Sequence, residues 1–167
     1  MNFGFTPEQE LLRDQVRRFL DDNCALPEVR RIMKSAQGYE QGHWQQMAEL
    51  GWLGLIINES DGGVGLNWVD LVVVLEEMGR SLYPGPYLST LCFTAALIDI
   101  TDSHTQKTLL PGIAEGKIKG SLALLDRPGD PHVDNISLEA ITTGEGVFIN
   151  GAEPLVHAGR YTHSTLP

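Results

Sequence analysis

The chain has 167 residues, of which 42% are hydrophobic and 20% charged, as in an ordinary globular protein. This length suits one domain, or one domain and part of another, with a substantial core. The net charge of −10 and the lack of a Lys/Arg cluster argue against nucleic acid and anionic membranes as partners.

The N-terminus has no basic segment leading into a long apolar core, and the longest aliphatic run, Leu71–Leu75, is far too short to cross a bilayer. We therefore expect a cytoplasmic protein without a membrane span. Cys24 and Cys92 are far apart in sequence and have no partner at metal or redox-motif spacing. Two buried, reduced thiols are favoured over a disulfide in that compartment.

The first part of the chain predicts three helices. Thr6–Gln9 combines a hydroxyl cap, a proline in the first turn and a glutamine able to complete a capping box, so a helix begins there and ends near Asn23. Two shorter helices are predicted from Pro27 to Met33 and from His43 to Leu50. The apolar face of the first helix comprises Leu11, Leu12, Val16, Phe19 and Leu20.

The segment from Gly51 to Arg80 predicts the central helix of the fold. Asn67 can cap a helix that is apolar around most of its circumference, so other elements must cover it. The glycine-rich run Asp61–Gly65 predicts a sharp structural bend with positive φ angles. We interpret Glu76-Glu77 as the solvated or capped end of the helix, and not as an acid/base pair.

Two further helices follow a rigid, proline-containing connection over Ser81–Pro86. The first is predicted at Tyr87–Asp99, with an extensive apolar surface. The second begins at a possible capping box, Ser103–Gln106, and reaches about Glu115, with Pro111 as a possible break or kink.

The pattern changes from helix to strand at Gly116. Ser121–Leu125 is short and apolar, Ile136–Thr142 shows partial alternation, and Asn150-Gly151 is a hairpin-turn signal between two further strands, Val147–Asn150 and Glu153–His157. The predicted fold is therefore mostly α and α+β overall, with a helical domain over residues 1–117 and the beginning of an antiparallel β-domain over 118–167. A partial sheet of this kind leaves an open edge that needs covering.

This order of parts, together with the wording of five segments, resembles the acyl-CoA dehydrogenase family over nearly the whole chain. No single segment is diagnostic, but their order is. The segments are Phe5–Glu10, Leu50–Gly54, Gly62–Leu66, Glu76–Arg80 and Leu110–Gly116.

The resemblance implies an FAD-dependent enzyme with a helical N-terminal domain, a middle β-domain and a C-terminal four-helix domain. Such enzymes desaturate acyl-CoA thioesters between the α and β carbons. A carboxylate removes the α-proton while the flavin accepts hydride from the β-carbon, so both groups must be held against the acyl chain. The family's usual base is a glutamate of the C-terminal domain, to which nothing in this chain corresponds, and we assign no catalytic residue.

Two family motifs that contact the flavin fall on identifiable segments. The Ala-Leu-Thr-Glu-Pro run falls on residues 123–127, where Leu125 replaces the threonine, and the Asn-Gly-x-Lys-x-Trp-Ile-Thr motif falls on residues 150–157. In the second motif Leu155 replaces the tryptophan and His157 the final threonine, so backbone contacts can survive but the hydroxyls and the aromatic contact are lost. The implied FAD-binding residues are Ala123, Leu124, Leu125, Asp126, Leu155, Val156 and His157.

The resemblance also places the helix at Tyr87–Asp99 beside the acyl chain. Its implied substrate-binding residues are Tyr87, Thr90, Leu91 and Thr94, for each of which packing in the core is the alternative. No histidine, cysteine or carboxylate spacing predicts a metal site.

Two functions remain open from the sequence. The first is the N-terminal part of a flavin-dependent acyl-CoA dehydrogenase-like protein, inactive as this chain alone. The second is a non-catalytic interaction module or degenerate subunit of an acyl-CoA dehydrogenase-like complex, for which the replacements at Leu125, Leu155 and His157 argue. Under either function we expect a homo-oligomer or a partner subunit, with acyl-CoA as the substrate once the missing parts are supplied.

Overall fold

The protein is mostly α-helical, as predicted. The computed structural model describes residues 4–100, 103–122, 139–144 and 146–149. In that part of the chain no helix is long and apolar enough to cross a membrane. The elements are α1 (Pro7–Asn23), α2 (Leu26–Met33), α3 (Gln41–Glu49), two short 3-10 turns (Trp52–Gly54 and Glu59–Asp61), α4 (Trp68–Arg80), α5 (Tyr87–Ile100), α6 (Ser103–Ala114), β1 (Ala140–Thr143) and β2 (Gly146–Ile149).

Helix α1 begins with the predicted capping box. The Gln9 amide donates to the Thr6 hydroxyl over 3.3 Å, and the Thr6 amide donates to the Gln9 side chain over 3.0 Å. Val16 and Leu20 are fully buried on its inner face. The predicted apolar face is wrong at Leu11, which is 62% exposed because it lies on the solvent side of the helix.

The glycine-rich bend before α4 is structural, as predicted. Gly62 and Gly65 have φ angles of 84° and 70°, in the left-handed region that glycine adopts without steric cost. At Gly63 a Cβ would collide with the backbone of Ile57. The bend is closed by amides that donate to earlier carbonyls, including Gly65 to Ile57 over 2.8 Å and Leu66 to Leu55 over 2.7 Å.

Two apolar clusters hold the helices together. The larger one packs α1, α3 and α4 around side chains such as Leu20, Trp44 and Val74. The smaller one joins α5 and α6 to the turn after Gly54 and includes Ile57, which is fully buried. Because most of α4 is covered in this way, the prediction of a central helix is confirmed.

Three other predictions need correction. Cys24 and Cys92 are free thiols, but only Cys24 is buried, since Cys92 lies on the solvent side of α5. Glu77 is not a solvated helix end but is 2% exposed against α1. In the predicted strand Ser121–Leu125, the two described residues, Ser121 and Leu122, are not in a strand.

The described strands form one antiparallel hairpin, in which Ala140 faces Ile149 and Thr143 faces Gly146. The sequence prediction placed its hairpin turn at Asn150-Gly151, which lies outside the described residues. The observed turn is earlier, between Thr143 and Gly146, where Gly146 has a φ of 145°.

Candidate functional site

The sequence-predicted site divides into a part that the structure describes and a part outside it. The residues implied to bind FAD are Ala123, Leu124, Leu125, Asp126, Leu155, Val156 and His157, and all lie outside the described residues. The four residues implied to contact substrate all lie on α5. Their spacing of three and four residues places them on one face of the helix.

This face of α5 points into the protein. Tyr87, Thr90 and Thr94 are 4%, 3% and 1% exposed, whereas Leu91 is half-buried. Since three of the four side chains are nearly inaccessible, the described residues themselves form much of their surroundings. Leu91 and Tyr87 are the members of the set that border an open space in the structure.

Tyr87 anchors the beginning of α5. Its hydroxyl donates to the carbonyl oxygen of Trp52 over 2.9 Å. Burial raises the pKa of the Tyr87 phenol well above its ordinary value, because a phenolate would be poorly solvated there. The phenol is therefore neutral at physiological pH and acts as a hydrogen-bond donor that fixes α5 against the turn at Trp52–Gly54.

Thr90 joins α5 to the segment that follows α6. Its hydroxyl accepts from the Gly120 amide over 3.3 Å and lies 3.5 Å from the Gly120 carbonyl oxygen. A Cβ at Gly120 would collide with the ring of Phe93, so the two backbones approach closely only because residue 120 is glycine. The Thr94 hydroxyl donates to the Thr90 carbonyl over 2.8 Å, within the helix.

The same segment is fixed at two more points on α3. The Trp44 indole Nε1 donates to the Gly116 carbonyl over 2.9 Å. The Lys119 ammonium lies 5.3 Å from the centroid of the Tyr39 ring and 5.4 Å from that of Trp44, and the residue is 6% exposed. These are cation–π contacts of a desolvated lysine. Residues 116–120 are thus held in place immediately before the first segment implied to bind FAD.

Two apolar spaces lie beside α5. The one next to Leu91, Tyr87 and Thr90 is about 10 Å³, about the size of one water molecule. A larger cleft of about 250 Å³ lies between the end of α4 and the beginning of α5. It is lined by Leu75, Met78, Gly79, Leu82, Tyr83, Gly85, Tyr87 and Leu88.

The larger cleft was not predicted from the sequence, although it shares Tyr87 with the predicted site. The Ser81–Pro86 connection was interpreted only as a rigid link. A signal was nevertheless present: Leu75 and Gly79 are four residues apart, and Leu82 follows after three, so these positions share one side of the helical path. The backbone then turns at Leu82, which has an unusual φ of 53° for a non-glycine residue.

The strongest electrostatic feature is the ion cluster between α1 and α4. The Glu77 carboxylate accepts from Arg17 over 2.6 and 3.1 Å and from Arg80 over 2.7 Å. The hydrogen bonds from Arg17, together with those from Arg80, lower the pKa of Glu77 to about 2. Glu77 is therefore a permanently charged structural anchor at neutral pH, with no role as a proton acceptor.

Comparison with known proteins identifies relatives of this arrangement. The family model described as "Acyl-CoA dehydrogenase, N-terminal domain" matches residues 6–117. The acyl-CoA dehydrogenase IpdE2 of Mycolicibacterium smegmatis is 34% identical over 112 residues, which cover 66% of this chain and 36% of that protein. Mitochondrial isovaleryl-CoA dehydrogenase of Pongo abelii is 29% identical over 154 residues, covering 89% and 36%.

Solved structures give the same result. A variant of the Tcur3481–Tcur3483 steroid ACAD superimposes with a TM-score of 0.82 at 28% identity, covering 91% of this chain and 42% of that one. A chain of the ChsE4–ChsE5 complex from Mycobacterium tuberculosis reaches 0.84 at 24% identity, which shows the fold alone, and the match covers 97% and 43%. The chain thus spans about a third to two fifths of the length of these relatives.

Proposed function

Because the chain belongs to the acyl-CoA dehydrogenase family, through the N-terminal domain of that family, we propose that it forms the helical side of a flavin-dependent acyl-CoA dehydrogenase. The reaction proposed is desaturation of an acyl-CoA thioester between its α and β carbons. The division into a helical domain over residues 1–117 and a β-domain over 118–167 is part of this proposal. Turnover is proposed to require the further parts that the longer relatives carry.

The observation that carries the proposal is the contact between Thr90 and Gly120. Thr90 lies on the helix implied to face the acyl chain, and Gly120 precedes Ala123, the first residue implied to contact FAD, by three positions. The fold therefore brings the implied substrate helix against the entrance to the implied flavin segment. Desaturation needs this proximity, because hydride moves directly from the substrate to the flavin.

The geometry of α5 suggests different roles for its four residues. Tyr87 and Leu91 border apolar space and are proposed to contact the acyl chain. Thr94 is 1% exposed and its hydroxyl is occupied by the Thr90 carbonyl, so we propose that it positions the helix. Thr90 is likewise proposed to hold the segment that begins at Gly116 against α5.

The fit to FAD is supported in the described part of the chain at this junction. The approach of Gly120 to α5 leaves no room for a side chain, and Trp44 and Lys119 hold the preceding residues. FAD, when bound, would supply the hydride acceptor. The chain's own contribution would be to bind and orient, through the backbone of residues 123–126 and 155–157.

An FAD titration of the purified chain tests this proposal. We expect saturable binding at one FAD per chain, followed by flavin absorbance and fluorescence. Thr90→Val should weaken that binding because it removes the hydroxyl that the Gly120 amide donates to. Thr108→Val is the matched control, since Thr108 is also a helical threonine whose hydroxyl bonds the carbonyl four residues earlier, but on the exposed side of α6.

A second candidate function is the non-catalytic interaction module. It is favoured by the replacements at Leu125, Leu155 and His157, which remove two hydroxyls and an aromatic side chain from the implied flavin contacts. A folded chain that shows no saturable FAD binding would support this function and contradict the first. Stoichiometric binding weakened by Thr90→Val and unchanged by Thr108→Val would support the flavoprotein.

A further inference from the structure

Helix α4 has an apolar stripe on its outer side. Trp68, Val72, Leu75 and Gly79 are spaced by four, three and four residues, so they form one ridge along the helix. Trp68 is 55% and Val72 44% exposed, although both belong to the central helix. We call the stripe, together with the cleft at its end and the exposed Leu88, the α4–α5 surface.

The dimensions of the α4–α5 surface fit a helix better than a small ligand. From Trp68 to Gly79 the stripe is about 16 Å long, at about 1.5 Å per helical residue. The cleft of about 250 Å³ at its end is smaller than typical ligand pockets, which begin at about 300 Å³. A cleft of this size beside an apolar ridge accommodates one or two anchoring side chains of a docked helix.

A polar group inside the cleft is also left open. The Tyr83 hydroxyl is buried and has no hydrogen-bond partner among the described residues. Burial raises the pKa of this phenol, so it is neutral and able to donate. An occupant that presents a hydrogen-bond acceptor at the end of the stripe would satisfy it.

The charges beside the stripe are already paired within the chain. Arg13 binds Glu76 over 2.9 Å, and Arg80 binds Asp21 over 2.7 Å. The surface itself is therefore apolar and nearly neutral. The chain as a whole carries a net charge of −10, which opposes close approach of a second copy and favours a different polypeptide.

We propose that the α4–α5 surface docks an amphipathic helix of a different polypeptide, one that carries the portion found in longer relatives beyond the matched segment. This rests on the proposed function. The matched segments make up 36% of the IpdE2 chain and 43% of the ChsE4–ChsE5 chain, and the latter structure is a complex of two different proteins. An occupant of this kind would cover the stripe with its own apolar face.

The test is co-expression of the full chain with a tagged probe. The probe is the part of Mycolicibacterium smegmatis IpdE2 that follows the matched segment. We expect the wild-type chain to be retained by the tagged probe and retention to fall at least tenfold with Val72→Glu and with Leu88→Glu. Met33→Glu is the matched control, because Met33 is 66% exposed but lies on α2, outside the α4–α5 surface. Circular dichroism establishes that each variant is folded.

Three results would overturn the proposal: no retention of the wild-type chain, equal retention of all variants, or an equal loss with Met33→Glu. Sedimentation velocity of the chain alone gives a separate check, in which we expect a monomer. A dimer dissociated by Val72→Glu would identify a second copy as the occupant. The FAD titration distinguishes the two proposals, because docking without flavin binding would refute the proposed function alone, and flavin binding without docking would refute this inference alone.

Discussion

Replacing Glu77 by glutamine removes the buried charge between α1 and α4 while keeping the side-chain size. Glu77 is 2% exposed and accepts three hydrogen bonds from Arg17 and Arg80. A glutamine presents one acceptor oxygen and an NH₂ group that faces two guanidinium donors. Glu77→Gln should therefore leave both arginines only partly satisfied and loosen the contact between the two helices.

The magnitude follows from the pKa of Glu77. Its lowering from 4.5 to about 2 corresponds to about 3 kcal/mol of preference for the charged form in the folded state. The Arg17 and Arg80 side chains are each 44% exposed, so solvent screens part of this interaction. We expect Glu77→Gln to lower the free energy of unfolding by about 2 kcal/mol at pH 7.

The pH dependence gives the sign a separate check. Because the folded-state pKa is lowered, the stabilisation is fully present above about pH 4.5 and is lost as the pH falls towards about 2. Urea unfolding of the wild-type chain and Glu77→Gln should therefore show a difference that is constant from pH 7 to 5 and shrinks below 4.5. Glu76→Gln is the control, since that side chain is 51% exposed and its loss should cost less than about 1 kcal/mol. A Glu77→Gln effect no larger than that of Glu76→Gln, or one independent of pH, would refute the reasoning.

Two further predictions concern packing and accessibility. Gly63→Ala should lower the free energy of unfolding by more than about 2 kcal/mol, because its Cβ would collide with the Ile57 backbone. Urea unfolding measures this against Gly42→Ala, which has open space and should be neutral or stabilising by up to about 1 kcal/mol; equal effects would contradict the packing argument. Cys92 should react with a thiol reagent in the folded protein, whereas Cys24, whose pKa burial raises to about 11, should react only after unfolding. Equal reaction rates of the two thiols would contradict their assigned environments.

Local interactions made the helix beginnings predictable from sequence. The Thr6 and Gln9 side chains bond to backbone groups three residues away, so the residues that decide the structure are adjacent in the sequence. The bend before α4 was predictable for the same reason, because glycine alone adopts the φ angles of Gly62 and Gly65 at no steric cost. The hairpin turn before Gly146 was missed because the Asn150-Gly151 dipeptide gave a stronger signal.

Long-range partners made Glu77 unpredictable. Its neighbours Arg17 and Arg80 come from α1 and from the end of α4, and the contact with Arg17 spans 60 positions of sequence. A pair of glutamates at a helix end is ordinarily solvated, and nothing in the local pattern distinguishes the exposed Glu76 from the buried Glu77. The same limit applies to the candidate site, since the link from Thr90 to Gly120 spans 30 positions.

The two sides of α4 separate stability from docking. Val72 and Glu77 are five residues apart, which places them about 140° apart around the helix at 3.6 residues per turn. Glu77 binds α1 on the inner side, whereas Val72 is 44% exposed on the outer side. Substitutions at these positions share no partner, so their effects should be independent. Val72→Glu should therefore change retention of the docking probe without the unfolding cost of Glu77→Gln, and this separation distinguishes an interaction surface from a general loosening of the helical domain.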